Sequence, residues 1–205
     1  MSASDTDDQR LLLIDGHAMA FRAFFALPAD GFSDGRGQAT NAVYGFTRMI
    51  INVVASERPT HLAVAFDLPG GTFRDRIYDQ YKGGRDETPA AFHGQIGLIQ
   101  QVLDALGVRW LTYEDYEADD IIATLATRAE QQGHEALIVS SDRDAIQLVG
   151  EKVTLLQPVK GAVVGLQYAL GMHGFATLPR SRPVPGSEET RLAAAAAGAS
   201  DRHSS

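Results

Sequence analysis

Three short apolar runs in this chain end in an aspartate, and helical patterns separate them. "LLLID" (11–15), "HLAVAFD" (61–67) and "EALIVSSD" (135–142) show no apolar–polar alternation, which marks strands buried on both faces. "VRWLTYE" (108–114) and "VTLLQP" (153–158) read as two further strands. Between them, "QATNAVYGFTRMIINVVASE" (38–57) places Val43, Phe46, Ile50 and Val54 on one helical face. "AFHGQIGLIQQVLDALG" (91–107) spaces Phe92, Ile96, Ile99, Leu103 and Leu106 at helical intervals, with Gly107 as the expected C-cap. "YEADDIIATLATRA" (116–129) starts with acids and continues with Ile122, Leu125, Ala126 and Ala129 as an inward face.

Strands alternating with helices imply right-handed βαβ units and a mostly parallel sheet covered on both faces. In a parallel sheet all strand C-termini share one edge, where open α/β folds bind their ligands. Asp15, Asp67 and Asp142 are therefore expected at one edge, with Asp144 beside the last and Glu117, Asp119 and Asp120 just beyond the third strand. Helix capping explains any one of these acids, since carboxylates favour the positive N-terminal end of a helix. It explains poorly why so many gather along one edge. Two unit charges ~4 Å apart repel by about 1 kcal/mol in water and by more in a cleft, so such a group takes up protons or binds cations. Oxygen donors without cysteine or histidine among them favour a hard ion, Mg²⁺ or Mn²⁺, and a pair of such ions suits phosphodiester hydrolysis.

Composition agrees with an α/β domain. The 205 residues are 44% hydrophobic and contain no cysteine, which excludes disulfides and thiolate metal sites and points to a reducing cytoplasm. The N-terminus "MSASDTDDQR" is acidic where a secretory signal is basic, and no apolar run reaches membrane-spanning length, so no membrane partner is expected. The net charge is −8, concentrated in residues 1–160, which hold 14 basic and 23 acidic side chains against 4 and 3 in residues 161–205. Bound cations reverse the local field of a carboxylate site, so this charge does not exclude nucleic acid.

Two stretches break the strand–helix rhythm. "LPGGTFRDRIYDQYKGGRDETP", starting at Leu68, interleaves Arg74, Arg76, Lys82 and Arg85 with Tyr78 and Tyr81. Such interleaving suits a channel that tracks a nucleic-acid backbone and stacks its bases. A solvated loop is the alternative, given Asp75, Asp79, Asp86 and Glu87 in the same run. Beyond residue 161 an alanine run and Pro and Ser clusters replace the pattern, and the last ~25 residues have a disordered composition. His17, in "DGH", reads as part of a helix N-terminus rather than as a ligand.

"LLLIDGHAMAFRAFFALP", "GQATNAVYGFTRMI", "AVAFDLPGGTFRDRIYDQYKGGR", "YEADDIIATLA" and "VSSDRDAIQLV" together resemble, in order and spacing, the 5′→3′ exonuclease domain of bacterial DNA polymerase I. That family belongs to the flap endonuclease superfamily. The resemblance implies a PIN-like three-layer α/β/α fold, with a mostly parallel central sheet and a helical arch segment. It also implies a metal-dependent 5′→3′ exonuclease or 5′-flap endonuclease that acts on DNA with a 5′ end or 5′ flap. By the same resemblance Asp15, Asp67, Glu117 and Asp119 match carboxylates of the first metal, Asp120 a neighbouring acid, and Asp142 and Asp144 the pair that serves the second. Arg74, Lys82 and Arg85 fall in the arch, where Lys82 and Arg74 are the catalytic candidates at the scissile phosphate. Arg22, Tyr81 and Arg85 join Arg74 and Lys82 as DNA contacts. A PIN-type ribonuclease lacks this arch segment. A phosphatase with strand-end aspartates needs an acid at the position of His17.

The matching region is expected to run from 10 to 161, after a flexible 1–9, and to leave 162–205 as an atypical, largely disordered tail. After "LLQPVKGA" the family's acidic G-D-x-x-D-N motif and helix–three-turn–helix are not found, and the only later acids are Glu188, Glu189 and Asp201. An incompletely liganded second ion and weakened activity follow, with a non-catalytic nucleic-acid-binding remnant as the alternative. A monomer is expected, with a separate polymerase as a candidate partner.

Overall fold

A computed structural model describes residues 9–68 and 88–157, together with the backbone of 162–164. Six strands form one sheet: β1 (Arg10–Asp15), β2 (His61–Ala65), β3 (Arg109–Leu111), β4 (Glu135–Val139), β5 (Val153–Gln157) and β6 (Ala162–Val164). Their order across the sheet is β3-β2-β1-β4-β5-β6. The first five are mutually parallel and β6 pairs antiparallel with β5, so the five expected strands form the parallel core and a short sixth extends it. Four helices accompany them among the described residues: α1 (Gly16–Ala26), α2 (Asn41–Glu57), α3 (Gln95–Ala105) and α4 (Ala118–Gln131). Residues 69–87, the main part of the expected arch segment, lie outside the described residues, as does the tail after 164.

The continuous apolar runs fill two cores, one on each face of the sheet. Leu12, Ile14, Val64, Phe66, Leu137 and Val139 pack under α1, α2 and α3, against Met19, Phe46, Ile50, Ile99 and Leu103. Leu13, Ala63, Ala65, Ala136, Ile138 and Leu155 pack under α4. Successive side chains of a strand point to opposite faces, so a strand covered on both sides needs apolar residues at every position. The small residues of β2 and β4 face α4, whose own inward face is Ile121, Ile122, Leu125, Ala126 and Ala129. This is a three-layer α/β/α arrangement.

Several expected boundaries shift. The regular pairing of β2, β3 and β4 ends before the sequence suggests, at Ala65, Leu111 and Val139. Only Asp15 is the last residue of a strand; Asp67 and Asp142 stand two and three residues beyond theirs. α2 is rotated from its expected face, because it packs on both α1 and α3: Ala42 and Val53 are buried with Phe46 and Ile50, while Val43 and Val54 are only partly covered. Leu106 is exposed past the end of α3, and Gly107, at φ 68°, takes the left-handed turn its position predicts. α1 is the one helix the periodicity did not delimit.

A buried polar pair ties three of the helices together. Gln95 is fully buried; its Nε2 donates to Asn41 Oδ1 at 2.9 Å and its Oε1 accepts the Ala42 N–H at 2.9 Å. Asn41 Nδ2 donates to the carbonyls of Phe24 and Leu27, both at 2.9 Å. The start of α2 is thus joined to the end of α1 and the start of α3 with every buried polar atom satisfied.

Gly16 follows Asp15 directly, and a Cβ there would run into the Phe66 ring, which is fully buried and has nowhere to go. Gly16→Ala is expected to destabilise the protein by about 1–3 kcal/mol through overpacking. Gly97 is an exposed position of α3 with nothing near its missing Cβ. Gly97→Ala is expected to stabilise by up to about 1 kcal/mol through helix propensity. Urea unfolding of the two variants beside the parent checks both signs.

Candidate metal centre at the carboxyl edge of the sheet

The strand order reverses between β1 and β4. From β1 the chain steps outward through β2 and β3, then returns to place β4 on the other side of β1. Such a switch point opens a crevice at the strand C-termini, and the acids lie around it. Asp15 ends β1 and is 5% exposed. Its Oδ1 accepts the Ala18 N–H at 2.9 Å, capping α1, and its Oδ2 accepts the Ser140 hydroxyl at 2.9 Å. Asp67 follows β2, and its Oδ1 accepts the N–H of Ala118, the first residue of α4, at 2.7 Å. Asp120 Oδ2 accepts the Glu117 N–H at 3.1 Å, one arm of a capping box at the same helix start. Asp142 Oδ1 accepts the Asp144 N–H at 2.9 Å.

Capping and crowding therefore coexist. Two helix N-termini, of α1 and α4, direct N–H groups at these carboxylates, and the positive ends of the helices offset part of their charge. Each bonded oxygen retains a lone pair, because a carboxylate accepts up to about four hydrogen bonds. Asp120 is the acid most clearly committed to capping.

The remaining charge is felt at Asp119. Its carboxyl is pushed up to about 7, first by desolvation and then by the like charges of Asp15, Asp142, Asp67 and Glu117. Asp119 is exposed by surface area, so its desolvation is that of a cleft mouth, and repulsion by the four neighbours is the sturdier cause. Asp15 is also raised, by burial foremost; the hydrogen bonds from Ala18 and Ser140 work against the rise, and the charges of Asp67 and Asp142 add to it. Among the described residues no lysine or arginine pairs with Asp15, Asp119 or Asp142. At the opposite edge, Arg10 pairs with Glu57 at 3.1 Å and with Glu135 at 3.7 Å.

Asp15, Asp67, Glu117, Asp119 and Asp142 thus share one electrostatic neighbourhood. Among the described residues, however, no three histidine or acid side chains are gathered into a preformed ion cage. The donor set nevertheless fits a hard divalent ion by its chemistry: oxygen only, negatively charged and partly unneutralised. Asp144 is exposed at the start of a 3₁₀ turn, Asp144–Leu148. Arg22 lines a shallow groove with Ala18, Phe21, Phe25, Ala26 and Ser141, beside the Asp142 turn. Arg74, Tyr81, Lys82 and Arg85 lie outside the described residues.

Two contributors are not acids: Ser140, which no sequence pattern marks, and His17, which lies at a helix start as its sequence context suggests. Ser140 is buried between Asp15 and Asp142. His17, the second residue of α1, accepts the Asp67 N–H on Nδ1 at 3.1 Å, with its ring edge against Phe66. Because Nδ1 is the acceptor, its 4.0 Å approach to Asp67 Oδ2 is not an ion pair. The sequence context of His17 indicated a helix start, which it is, and carried no sign of its contact with Asp67.

The pH dependence follows from Asp119. A carboxyl raised from 3.8 to about 7 keeps its proton in the folded chain over a range where the unfolded chain has released it. Folded-state stability therefore falls as pH rises through that window and levels off above it. Asp119→Asn removes the titration, so without added divalent ions the parent is expected to lose thermal stability relative to this variant between those limits. Parallel melting temperatures of the two proteins would refute the repulsion if the pH curves stayed superimposable.

The chain matches the family model of the 5′-3′ exonuclease, N-terminal resolvase-like domain, over residues 10–170. It is 52% identical over 159 residues to DNA polymerase I of Mycobacterium bovis, covering 78% of this chain and 18% of that protein. It is 44% identical over 156 residues to DNA polymerase I of Bacillus subtilis, covering 76% and 18%. The chain thus spans less than a fifth of the length of these relatives. Among solved structures it is similar to T5 5′-exonuclease with bound zinc ions, at a TM-score of 0.61 and 19% identity over 82% of this chain and 62% of that one. A bacteriophage T5 flap endonuclease in complex with DNA and metal ions gives a TM-score of 0.60 and 19% identity over 80% and 61%. At that identity the likeness is one of fold.

Proposed function

The chain belongs to the family of 5′-3′ exonuclease N-terminal resolvase-like domains, and on that premise we propose that it hydrolyses DNA phosphodiester bonds from 5′ ends and at 5′ flaps. The observation that supports this reading best is the crowding of Asp15, Asp67, Glu117 and Asp142 around Asp119 at the strand tips. In the proposal Asp15, Asp67, Glu117 and Asp119 hold a first Mg²⁺ or Mn²⁺, with Asp120 beside them. Asp142 and Asp144 contribute to a second ion whose ligand set is incomplete. When bound, such ions supply an activated water and neutralise charge on the scissile phosphate.

The protein's own groups do the rest. Asp119 releases its proton as positive charge arrives, which couples ion affinity to pH. Asp15 is held in one orientation by two hydrogen bonds, and each oxygen keeps a lone pair that an ion can use. Arg22, on α1, lines the groove beside the Asp142 turn, and its proposed role is to contact a phosphate of the bound strand. Lys82 and Arg74, from the arch segment, stabilise negative charge developing on the phosphate oxygens. Tyr81 and Arg85 track the single strand by stacking and backbone contact. The partner is DNA with a 5′ end or flap. Among the described residues no helix is long and apolar enough to cross a membrane.

The test is cleavage of a 5′-flap DNA by the purified chain with Mg²⁺ or Mn²⁺, beside Asp119→Ala. Weak cleavage is expected, stronger with Mn²⁺, falling more than about 100-fold in the variant, since even groups that only support metal ligands cost 10–100-fold. DNA binding is expected to weaken steeply as salt rises. Equal background in parent and variant would instead indicate a non-catalytic nucleic-acid-binding remnant, the reading favoured by Glu188, Glu189 and Asp201 being the only acids after residue 161.

A further inference from the structure

At the seam where the strand order reverses, one buried hydroxyl joins two acids from neighbouring strands. Ser140 is the first residue after β4 and only 1% exposed. In the β1–β4 register Ile14 lies opposite Val139, so Ser140 comes next to Asp15. Its Oγ lies 2.9 Å from Asp15 Oδ2 and 3.0 Å from the Asp142 nitrogen. The directions of both bonds are forced. A backbone N–H can only donate, so Oγ accepts from Asp142, and the single hydroxyl proton goes to the Asp15 carboxylate. Asp142 Oδ1 then accepts the Asp144 N–H. A continuous hydrogen-bonded path therefore runs from Asp15 through Ser140 and Asp142 to Asp144.

The β1–β4 pairing ends at Ile14 and Val139, so it stops short of both acids. The chain after β1 turns into α1, on the face of the sheet covered by α1, α2 and α3. The chain after β4 enters the 3₁₀ turn that packs against α4 and β5, on the other face. Their acids also repel, since Asp142 is among the charges that raise Asp15. Ser140 opposes that repulsion at one fixed point, giving Asp15 a donor and Asp142 an acceptor at once.

We propose that Ser140 is a positioning residue that sets the spacing and orientation of Asp15 relative to Asp142, and so joins the two halves of the ion-binding edge. The proposal rests on the reading of these acids as divalent-ion ligands. Ser140→Ala removes both bonds and leaves the buried Asp15 oxygen without its donor. Ser140→Thr keeps the hydroxyl and adds a methyl group.

Direct titration of the full chain with Mn²⁺, followed by the electron paramagnetic resonance of the free ion, reads the effect without any turnover. Ser140→Ala is expected to weaken Mn²⁺ affinity about 10-fold or more, the usual cost of losing a group that orients metal ligands. Ser140→Thr is expected to stay within about twofold of the parent, well short of that 10-fold loss. Thermal melting of each ion-free variant reports whether it is folded at the titration temperature. A folded Ser140→Ala with parental Mn²⁺ affinity overturns the proposal. So does an affinity loss that Ser140→Thr, when folded, fails to rescue. Asp119→Asn serves as the control for the underlying reading: if the parent binds Mn²⁺ no better than this variant, it is the ion site itself that fails, not the role of Ser140.

Discussion

Negative charge confined to one edge of a parallel sheet is the constraint around which the rest of this structure is arranged. Five parallel strands deliver their C-termini to the same side, and the strand ends and the segments that follow them carry Asp15, Asp67, Glu117, Asp119 and Asp142. Left in water, such groups would separate. Here the two-sided core fixes the strand ends, and helix N–H groups pin the carboxylates that would otherwise swing away. The residual repulsion is felt most at Asp119, which Asp15, Asp142, Asp67 and Glu117 all act on.

This arrangement reconciles two explanations that look like rivals for the acids at a helix start. Asp120 caps, and so do Asp15 and Asp67, each bonded to a helix N–H. Capping does not use up a carboxylate. It orients one oxygen and leaves lone pairs for a cation, so the same contact serves folding and the site. The two helices thereby provide a rigid mount for a charged centre, which suits chemistry that depends on fixed positions more than on any single strong interaction.

The parts of the site that are not acids show what the crevice requires. Ser140 and His17 are small or neutral contributors, each bonded to the backbone or carboxylate of a site acid. Gly16 allows the Phe66 ring to lie directly beside the Asp15 turn, so the aromatic core reaches up to the base of the centre. Charged edge and apolar core are consequently coupled. A change in packing beneath Asp15 would be felt by the acid itself.

The strand–helix order, the parallel sheet and the assembly of the acids at one edge were legible in the sequence, because each follows from local periodicity and from the shared direction of parallel strands. The inward residues of α4 were legible for the same reason, since a helix that packs on one sheet has one apolar stripe. α2 was less so: it touches two helices as well as the sheet, and contact with α1 and α3 turned Val53 inward and left Val54 at the margin. The ends of β2 and β4 could not be read, because they depend on where the ladders with neighbouring strands stop, at Asp15 and Leu111 beside Ala65 and at Ile14 and Leu156 beside Val139. What the sequence by itself determined is which residues carry negative charge and that they leave the sheet on a common side. Only the tertiary structure decided that β4 returns beside β1, setting Ser140, a residue 125 positions away in the chain, against Asp15. Hydrogen-bond partners across such a distance depend on strand order, which leaves no local periodic signal.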